Sequence, residues 1–513
     1  MASIATSEEP AVNRGMITIS IMLATIMTAL DTTIANVALP HMAGSVSASA
    51  DQITWVLTSY IIATAIMTPM TGWLAGRLGR KRVFMISIIG FTVASALCGA
   101  AQSLPEIVIF RVLQGVFGAS MMPLSQAVML DTYPIEERGP AMAVWGMGVM
   151  VAPIVGPVLG GWLTDDFSWR WVFYINLPVG VLCLLGVMTF IPDDRSTLRL
   201  PFDVMGFALL SITLAAFQLF LDRGQNDDWF HSTEIVVEAS VAAVALILFV
   251  IHTATAERPF LPVALLGDRN FVTATALGFA VGLLVFSVLA LLPPMLETLL
   301  GYPVITTGLV TAPRGVGSLI SMFFVGRLVG RVDTRLIIMT GLVMFAIAFF
   351  GMSRFSLQMS SSAIVTTGFI QGLGTGLVFM PMTTLAFATL SPALRADGTG
   401  VFTLVRNLGN SAGISIMQAL FTTNVQVVHA RLVERLRLDN PLARPPYLPA
   451  PFDLTTNSGI AALEGEVTRQ ASMVAYIDVF YLMFLTTVVM IPLVMLLEKP
   501  RDQIPSEETL LAD

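Results

Sequence analysis

Charge is what this chain has least of. Only 12% of its 513 residues are Asp, Glu, Lys or Arg, about half the share of an ordinary soluble domain. A soluble protein with 55% hydrophobic residues would expose patches that aggregate, so a water-soluble globular fold is excluded. Cysteine is nearly absent too. Cys98 and Cys183 sit inside apolar runs in different predicted spans, which argues against a disulfide framework and for buried thiols. The four histidines, His41, His231, His252 and His429, are scattered, and no metal or other cofactor is expected. There is no phosphate-cradling Walker loop and no nucleophile beside a base, so ATP hydrolysis and membrane-embedded catalysis lack the residues they need. The net charge of −7 is segregated by loop, and nucleic acid is not an expected partner.

What is present is apolar length. Fourteen stretches approach the roughly 20 residues that cross a bilayer, near 16–39, 53–74, 83–101, 105–129, 139–163, 171–191, 204–222, 234–252, 271–295, 304–326, 336–353, 362–388, 398–423 and 475–496. In lipid every backbone group must be satisfied internally, so the expected class is all-α integral membrane. Residues 1–15 lack an apolar core followed by a small-residue cleavage site and read as a retained tail, with the first span as signal anchor. With both termini cytoplasmic, thirteen Arg and Lys fall in short cytoplasmic loops and three (Arg170, Arg223, Arg354) in short external ones, which decides the orientation. Trp55, Trp162, Trp169 and Trp171 fall at span ends, where an aromatic belt is expected.

The halves repeat. Leu74-Ala75-Gly76-Arg77 matches Leu328-Val329-Gly330-Arg331, Gln114-Gly115 matches Gln371-Gly372, Met122-Pro123 matches Met380-Pro381 and Arg138 matches Arg395, all at offsets between 254 and 258 residues. Such repeats mark transporters that rock two halves around a midplane site. The expected organisation is a tail (1–15), a six-helix bundle (16–191), a linker with two additional spans (192–270), a second six-helix bundle (271–496, including an external segment, 424–474) and a tail (497–513).

The ions left inside spans are the first functional candidates. Asp31 is an acid in an apolar helix, expensive unless it meets a cavity or a partner. It can hold a proton or a cationic substrate but not both, the simplest form of antiport. Arg111 keeps its charge and needs a carboxylate, carbonyls or water, and Gln114 lies one turn away on the same face. On these residues alone, Asp31→Asn and Arg111→Ala should abolish coupled export while leaving expression intact. Gly156, Gly160 and Gly161 let helices approach closely, and Pro153 and Pro157 remove backbone donors and bend the fifth span. Packing alone accounts for those glycines equally well.

These residues lie in ordered motifs. Span 1 ends Leu30-Asp31-Thr32-Thr33-Ile34-Ala35-Asn36. Gly72-Trp73-Leu74-Ala75-Gly76-Arg77-Leu78-Gly79-Arg80-Lys81-Arg82 joins spans 2 and 3. Arg111-Val112-Leu113-Gln114-Gly115 lies in span 4, Gly156-Pro157-Val158-Leu159-Gly160-Gly161 in span 5, and Trp169 to Pro178 opens span 6. The set resembles the fourteen-span drug:proton antiporters of the major facilitator superfamily, the EmrB group above all. The resemblance covers nearly the whole chain. It implies a major facilitator fold with two extra helices between its bundles, in a bacterial inner membrane. It implies proton-driven efflux of small molecules, with coupling through Asp31, Arg111 and Gln114. It also implies a gating loop of Gly72, Arg77, Gly79, Arg80 and Arg82, whose arginines pair with acids at neighbouring helix ends. Asp131 is the partner expected for Arg77 or Arg80, and Gly76 replaces an acid that many members carry. A periplasmic adaptor of EmrA type and a TolC-like outer-membrane channel are implied as partners.

Superfamily exporters of dicationic dyes carry acids in span 13. Here that span holds Arg406, Asn407 and Asn410, with no acid after Asp397. Arg314 in span 10 adds a second positive charge. With Asn36 and Gln371 these are the candidates for the substrate cavity, and their balance favours neutral or weakly acidic lipophilic cargo. Abundant Phe and Met suit an adaptable pocket. Export of one endogenous metabolite, or a non-transporting sensor or scaffold, would leave the same sequence marks. Residues Val427 to Leu436 read as an amphipathic helix in the external segment.

Overall fold

In the computed structural model the described residues are 13–498, apart from 135–136, 194–201, 225–226, 228, 258, 330, 392–393, 435, 437–451 and 453–455. The two tails beyond 13 and 498 and the middle of the expected external segment lie outside them. The described residues form helices and no strand. Fourteen helical passes follow the hydropathy pattern: α1 (Arg14–Ser45), α2 (Trp55–Met67, then Met70–Leu78), α3 (Arg80–Ala100), α4 (Leu104–Thr132), α5 (Arg138–Asp166), α6 (Trp171–Phe190), α7 (Val204–Gly224), α8 (Thr233–Thr255), α9 (Arg269–Leu299), α10 (Val304–Leu328), α11 (Thr334–Met352), α12 (Ser361–Ala388), α13 (Arg395–Val433) and α14 (Asn457–Leu496). Eleven are long and apolar enough on their own to cross a membrane; α2, α5 and α13 fall outside that measure. In α2 the reason is local: it divides at Thr68-Pro69, where the proline lacks a backbone donor.

Helices α1 to α6 pack as one bundle and α9 to α14 as a second. The repeat in the sequence is also a repeat in packing. A Cβ on Gly115 of α4 would lie 2.6 Å from the Tyr60 carbonyl of α2, and one on Gly372 of α12 would lie 2.0 Å from the Arg314 carbonyl of α10. Both pairs are related by the same offsets, so each bundle brings its second and fourth helices into backbone contact at an equivalent glycine. In lipid, close backbone approach replaces the hydrophobic effect as the source of helix association. Gly372→Ala should therefore separate α10 from α12 and cost about 1–3 kcal/mol. Gly161→Ala, whose Cβ meets nothing within 4 Å, should be neutral or gain up to about 1 kcal/mol in helix propensity. Thermal unfolding of the two variants in detergent checks the contrast.

The inserted helices α7 and α8 pair with each other, and α7 packs on both α2 and α13. Its Leu210 and Leu214 cluster with Ala65 of α2, Leu404 of α13 and Phe249 of α8. The pair thus lies across the seam between the bundles. Asp203, just before α7, ties the pair together by accepting from the Gly206 and Phe260 amides and meeting His252 of α8, each at 2.9 Å.

Two expectations change. The sequence places the ends of spans 13 and 14 at 423 and 475, with a separate amphipathic helix at 427–436. Instead α13 runs unbroken to Val433, and α14 begins at Asn457, where Thr456 caps it. The extensions are joined by His429 and Glu464 at 2.9 Å. Hydropathy ends a span where polar residues begin, but helix propensity continues through Ala, Leu, Glu and Arg. Among the tryptophans, Trp55, Trp162 and Trp171 are exposed as a belt requires. Trp169 is buried instead, its indole donating to Ser45 at 2.9 Å.

Candidate functional site

Asp31 and Arg111 meet in the first bundle, both essentially without solvent exposure. Arg111 Nη1 donates to Asp31 Oδ2 at 2.5 Å and to Gln114 Oε1 at 2.9 Å, and its Nε donates to the Val56 carbonyl at 3.0 Å. Gln114 Nε2 donates to Asp31 Oδ1 at 2.8 Å. The same oxygen accepts from Asn176 Nδ2 of α6 at 2.9 Å, and Asn176 also reaches Ser95 of α3 at 3.0 Å. One ion pair thus joins α1, α2, α3, α4 and α6. Gln114 shares the network, as its one-turn spacing suggests. Asn176 is the member that residue-by-residue reading missed; a lone amide entering an apolar span was its only signal.

Asp31 does not face the cavity. The cavity wall from α1 is made by Thr28, Ala29, Thr32 and Thr33, and Asp31 lies behind it. The contact between the two is Tyr60. Its ring lines the cavity while the Arg111 guanidinium stacks over it at 4.3 Å, a favourable cation–π geometry.

The cavity itself lies between the bundles and holds about 330 Å³, at the lower end of the range for small-molecule sites. It is lined by α1, α2, α4, α5, α7, α9, α12 and α13, with apolar side chains interrupted by threonine hydroxyls. Arg406, Asn407 and Asn410 belong to its wall. Arg406 is the single charged residue among the described lining. Its guanidinium packs over the Phe379 ring at 5.1 Å and touches Met122 Sδ at 3.5 Å, without a carboxylate in reach among the described residues. The other three cavity candidates do not line it. Asn36 lies one turn beyond Thr32 on α1 and is exposed. Gln371 is fully buried in α12 with both amide atoms unpaired. Arg314 sits against Gly368 on the α10–α12 contact. The repeat explains that placement. Gly368 and Arg314 occupy the positions equivalent to Arg111 and Tyr60, so the second bundle carries its arginine on the opposite helix of the pair, with no acid in salt-bridge range among the described residues.

The arginine-rich ends of the two bundles are in contact. Arg80 pairs with Asp131 of α4, and Arg395 of α13 approaches the same carboxylate at 3.8 Å. Of the two partners expected for Asp131, Arg80 takes it. Arg77 is exposed and stacks over Trp73 at 5.2 Å, and Arg82 is exposed. Gly79 is required by the turn, with φ at +86°, a conformation that glycine adopts without steric cost. Gly72 is required by closeness: a Cβ there would collide with Asp397 of α13. At the repeat-equivalent position of the second bundle, Gly326 of α10 lies against Pro140 and Ala143 of α5.

In α5, a Cβ on Gly156 would meet Thr33 Oγ1 at 2.2 Å and one on Gly160 the Ile34 carbonyl at 3.2 Å. These two glycines seat α5 on α1 beside Asp31, whereas Gly161 has open space. The side chains of Pro153 and Pro157 lie outside the described ones.

The profile of the Major Facilitator Superfamily matches residues 21–414. The chain belongs to that superfamily. Within it, it is EmrB-like: it is 36% identical to the "Multidrug export protein EmrB" of Escherichia coli K12 over 470 residues, covering 91% of this chain and 92% of the relative. It is also 33% identical to the "Fatty acid resistance protein FarB" of Neisseria gonorrhoeae, over 94% of this chain and 96% of that one. Among solved structures it shares the fold of the human organic anion transporter MFSD10 (TETRAN), with a TM-score of 0.58 at 14% identity over 93% of this chain and all of the other. The proton:xylose symporter XylE gives 0.57 at 15% identity, over 94% and 99%. The superfamily fold accounts for the paired bundles and the cavity on their seam; α7 and α8 lie outside the two-bundle repeat.

Proposed function

We propose that this protein is a proton-driven exporter of hydrophobic small molecules, neutral or weakly acidic, working by alternating access. The observation that carries the reading is the distribution of buried charge. The first bundle neutralises its arginine with Asp31, while among the described residues the single charge on the cavity wall is Arg406, with no carboxylate in reach. A cavity of that kind favours a lipophilic body with a hydroxyl or carboxyl group over a multivalent cation. Asp31 and Arg111 form the proton-coupling element, and Tyr60 passes changes in their pairing to the cargo. The arginine-rich end faces the cytoplasm under the positive-inside rule, so contact between the bundles there gives a cavity closed to the inside. Both termini are then cytoplasmic and the protein is a multi-pass resident of the bacterial inner membrane. The helical extensions of α13 and α14 project into the periplasm. Kinship with EmrB supports an adaptor of EmrA type and a TolC-like channel as partners, with no cofactor beyond the proton gradient.

Proteoliposomes with an imposed proton gradient test this directly. A panel of phenolic, quinolone-like and fatty-acid cargo should be transported with proton movement in the opposite direction, and dicationic dyes should be transported poorly. Faster transport of the dyes than of the weak acids would overturn the cargo assignment. Transport indifferent to the gradient would overturn the coupling.

A further inference from the structure

The inserted helix α7 is more than a spacer between the bundles, because it places one side chain in the cavity wall. That side chain is Gln218, 2% exposed and part of the cavity lining. One turn further along α7 is Asp222. Its Oδ1 accepts from Gln218 Nε2 at 2.9 Å, and its Oδ2 accepts from the Thr58 hydroxyl of α2 at 2.8 Å. Unlike Asp31, Asp222 has no cation in salt-bridge range among the described residues.

The charged neighbours are committed elsewhere or distant in the fold. Arg223 on the same helix pairs with Asp227 at 3.2 Å and with Glu234 of α8. Glu238 of α8 lies in the field of that arginine and those acids, and His252 is engaged by Asp203 near the opposite end of the helix pair. His231 lies in the short turn before α8. From α2 the titratable group is Tyr60, stacked under Arg111. From α13 the one nearest the cavity is Arg406, held over Phe379.

We propose that Asp222 is a pH-sensitive positioning residue that sets which face Gln218 presents to cargo. This rests on the efflux reading above and adds a residue to it from a helix outside the two-bundle repeat. An ionised carboxylate only accepts hydrogen bonds. While Asp222 is ionised it holds the Gln218 NH2, leaving the amide oxygen for a cargo hydroxyl. When Asp222 takes a proton from the external side on Oδ1, with Oδ2 still accepting from Thr58, its new O–H needs an acceptor. The Gln218 oxygen supplies it by an amide flip, which withdraws that oxygen from the cargo and turns the NH2 group inward. Proton uptake therefore loosens the grip on a hydroxyl-bearing cargo, the direction that release to the outside requires.

The test uses purified full-length protein in detergent, with 1-naphthol as fluorescent probe. A phenol with a pKa of roughly 10 stays neutral between about pH 5 and pH 8, so any change in affinity belongs to the protein. Wild-type affinity should fall on acidification, by up to about tenfold per pH unit through the transition of a single controlling proton. Asp222→Asn should lose the share of that slope that Asp222 controls, keeping only what the Asp31–Arg111 pair passes through Tyr60. Gln218→Met keeps the acid but removes the amide and should lose the same share of the slope, which holds the proposal falsifiable should Asp222→Asn fold poorly. A wild-type profile that is flat, or a pH slope as steep in either variant as in the wild type, overturns the proposal while leaving proton-driven export standing. Failure of wild-type vesicles to transport any panel compound overturns the efflux reading instead.

Discussion

Asp31→Asn should unfold this protein more readily as well as uncouple it, and adding Arg111→Gln should restore much of the stability without restoring coupling. The reason is the position of the pair. Asp31 and Arg111 are 1% and 0% exposed, and the carboxylate accepts from three nitrogen donors, on Arg111, Gln114 and Asn176. Replacing the carboxylate by an amide leaves Arg111 as an uncompensated charge in the bundle core. Breaking a buried pair from one side costs about 3–5 kcal/mol, whereas removing both charges is often close to neutral. Asp31→Asn, read from sequence as uncoupled with expression intact, should therefore show a lower melting temperature in detergent, as should Arg111→Gln, and the double variant should recover. A double-mutant cycle reads the difference as a coupling energy, which those costs put at several kcal/mol. Cargo-induced proton release should be lost in all three for cargo without a hydroxyl, and for hydroxyl-bearing cargo should fall to the share that Asp222 supplies. Single variants with wild-type melting temperatures would show that water or a rearranged partner reaches the site.

That result would locate the mechanism in the exchange of Asp31 between Arg111 and a proton. A proton on Asp31 releases the guanidinium, which is already stacked on the Tyr60 ring, and Tyr60 faces the cavity. Gly115 presses on the Tyr60 carbonyl from behind, so movement of α4 against α2 reaches the cargo wall without an intermediary. The equivalent contact in the second bundle, Gly372 on Arg314, lacks an acid. The buried acid–arginine pair is thus a feature of the first bundle, and the second supplies the charge found on the described cavity wall.

The sequence made the costly residues legible and left their partners open. An arginine or aspartate inside an apolar span stands out because lipid penalises it, so Asp31, Arg111, Arg314 and Arg406 could be found without coordinates. Which of them meet depends on helix rotation and tilt, and apolar spans with weak amphipathic bias encode neither. Hence Asp31 and Arg111 turned out to be partners, Arg314 lies on a helix contact away from the cavity, and Asn36 lies a turn beyond the cavity-lining residues of α1. The threonines of the wall, Thr28, Thr32, Thr64 and Thr375 among them, gave no signal, because a threonine in a membrane helix usually bonds its own backbone, as Thr28 does to the Ala24 carbonyl at 3.1 Å. Gln218 was invisible for a different reason: hydropathy marks α7 as an inserted span but does not say that it docks on the seam.

Arg406→Gln should separate anionic from neutral cargo. A charge-assisted hydrogen bond contributes about 1.5–3 kcal/mol, which corresponds to roughly a tenfold to 150-fold change in affinity. Carboxylate and phenolate substrates should lose about that much, and neutral lipophilic compounds should change by less than about threefold. Arg406→Lys keeps the charge but loses the planar fork, so it should fall between, with the largest deficit for carboxylates that can be gripped by two parallel bonds. The prediction depends on Arg406 being unpaired. Were it neutralised, as Arg111 is, its removal would disturb packing and weaken all cargo alike. Its neighbours, the Phe379 ring and Met122 sulfur, hold the guanidinium in place without cancelling its charge, and the adjacent Asn410 has a carboxamide oxygen left unsatisfied. Cargo affinities of Arg406→Gln measured across an acid, its methyl ester and a neutral isostere decide the matter: equal losses for all three would assign Arg406 to structure, and a loss confined to the acid would assign it to recognition.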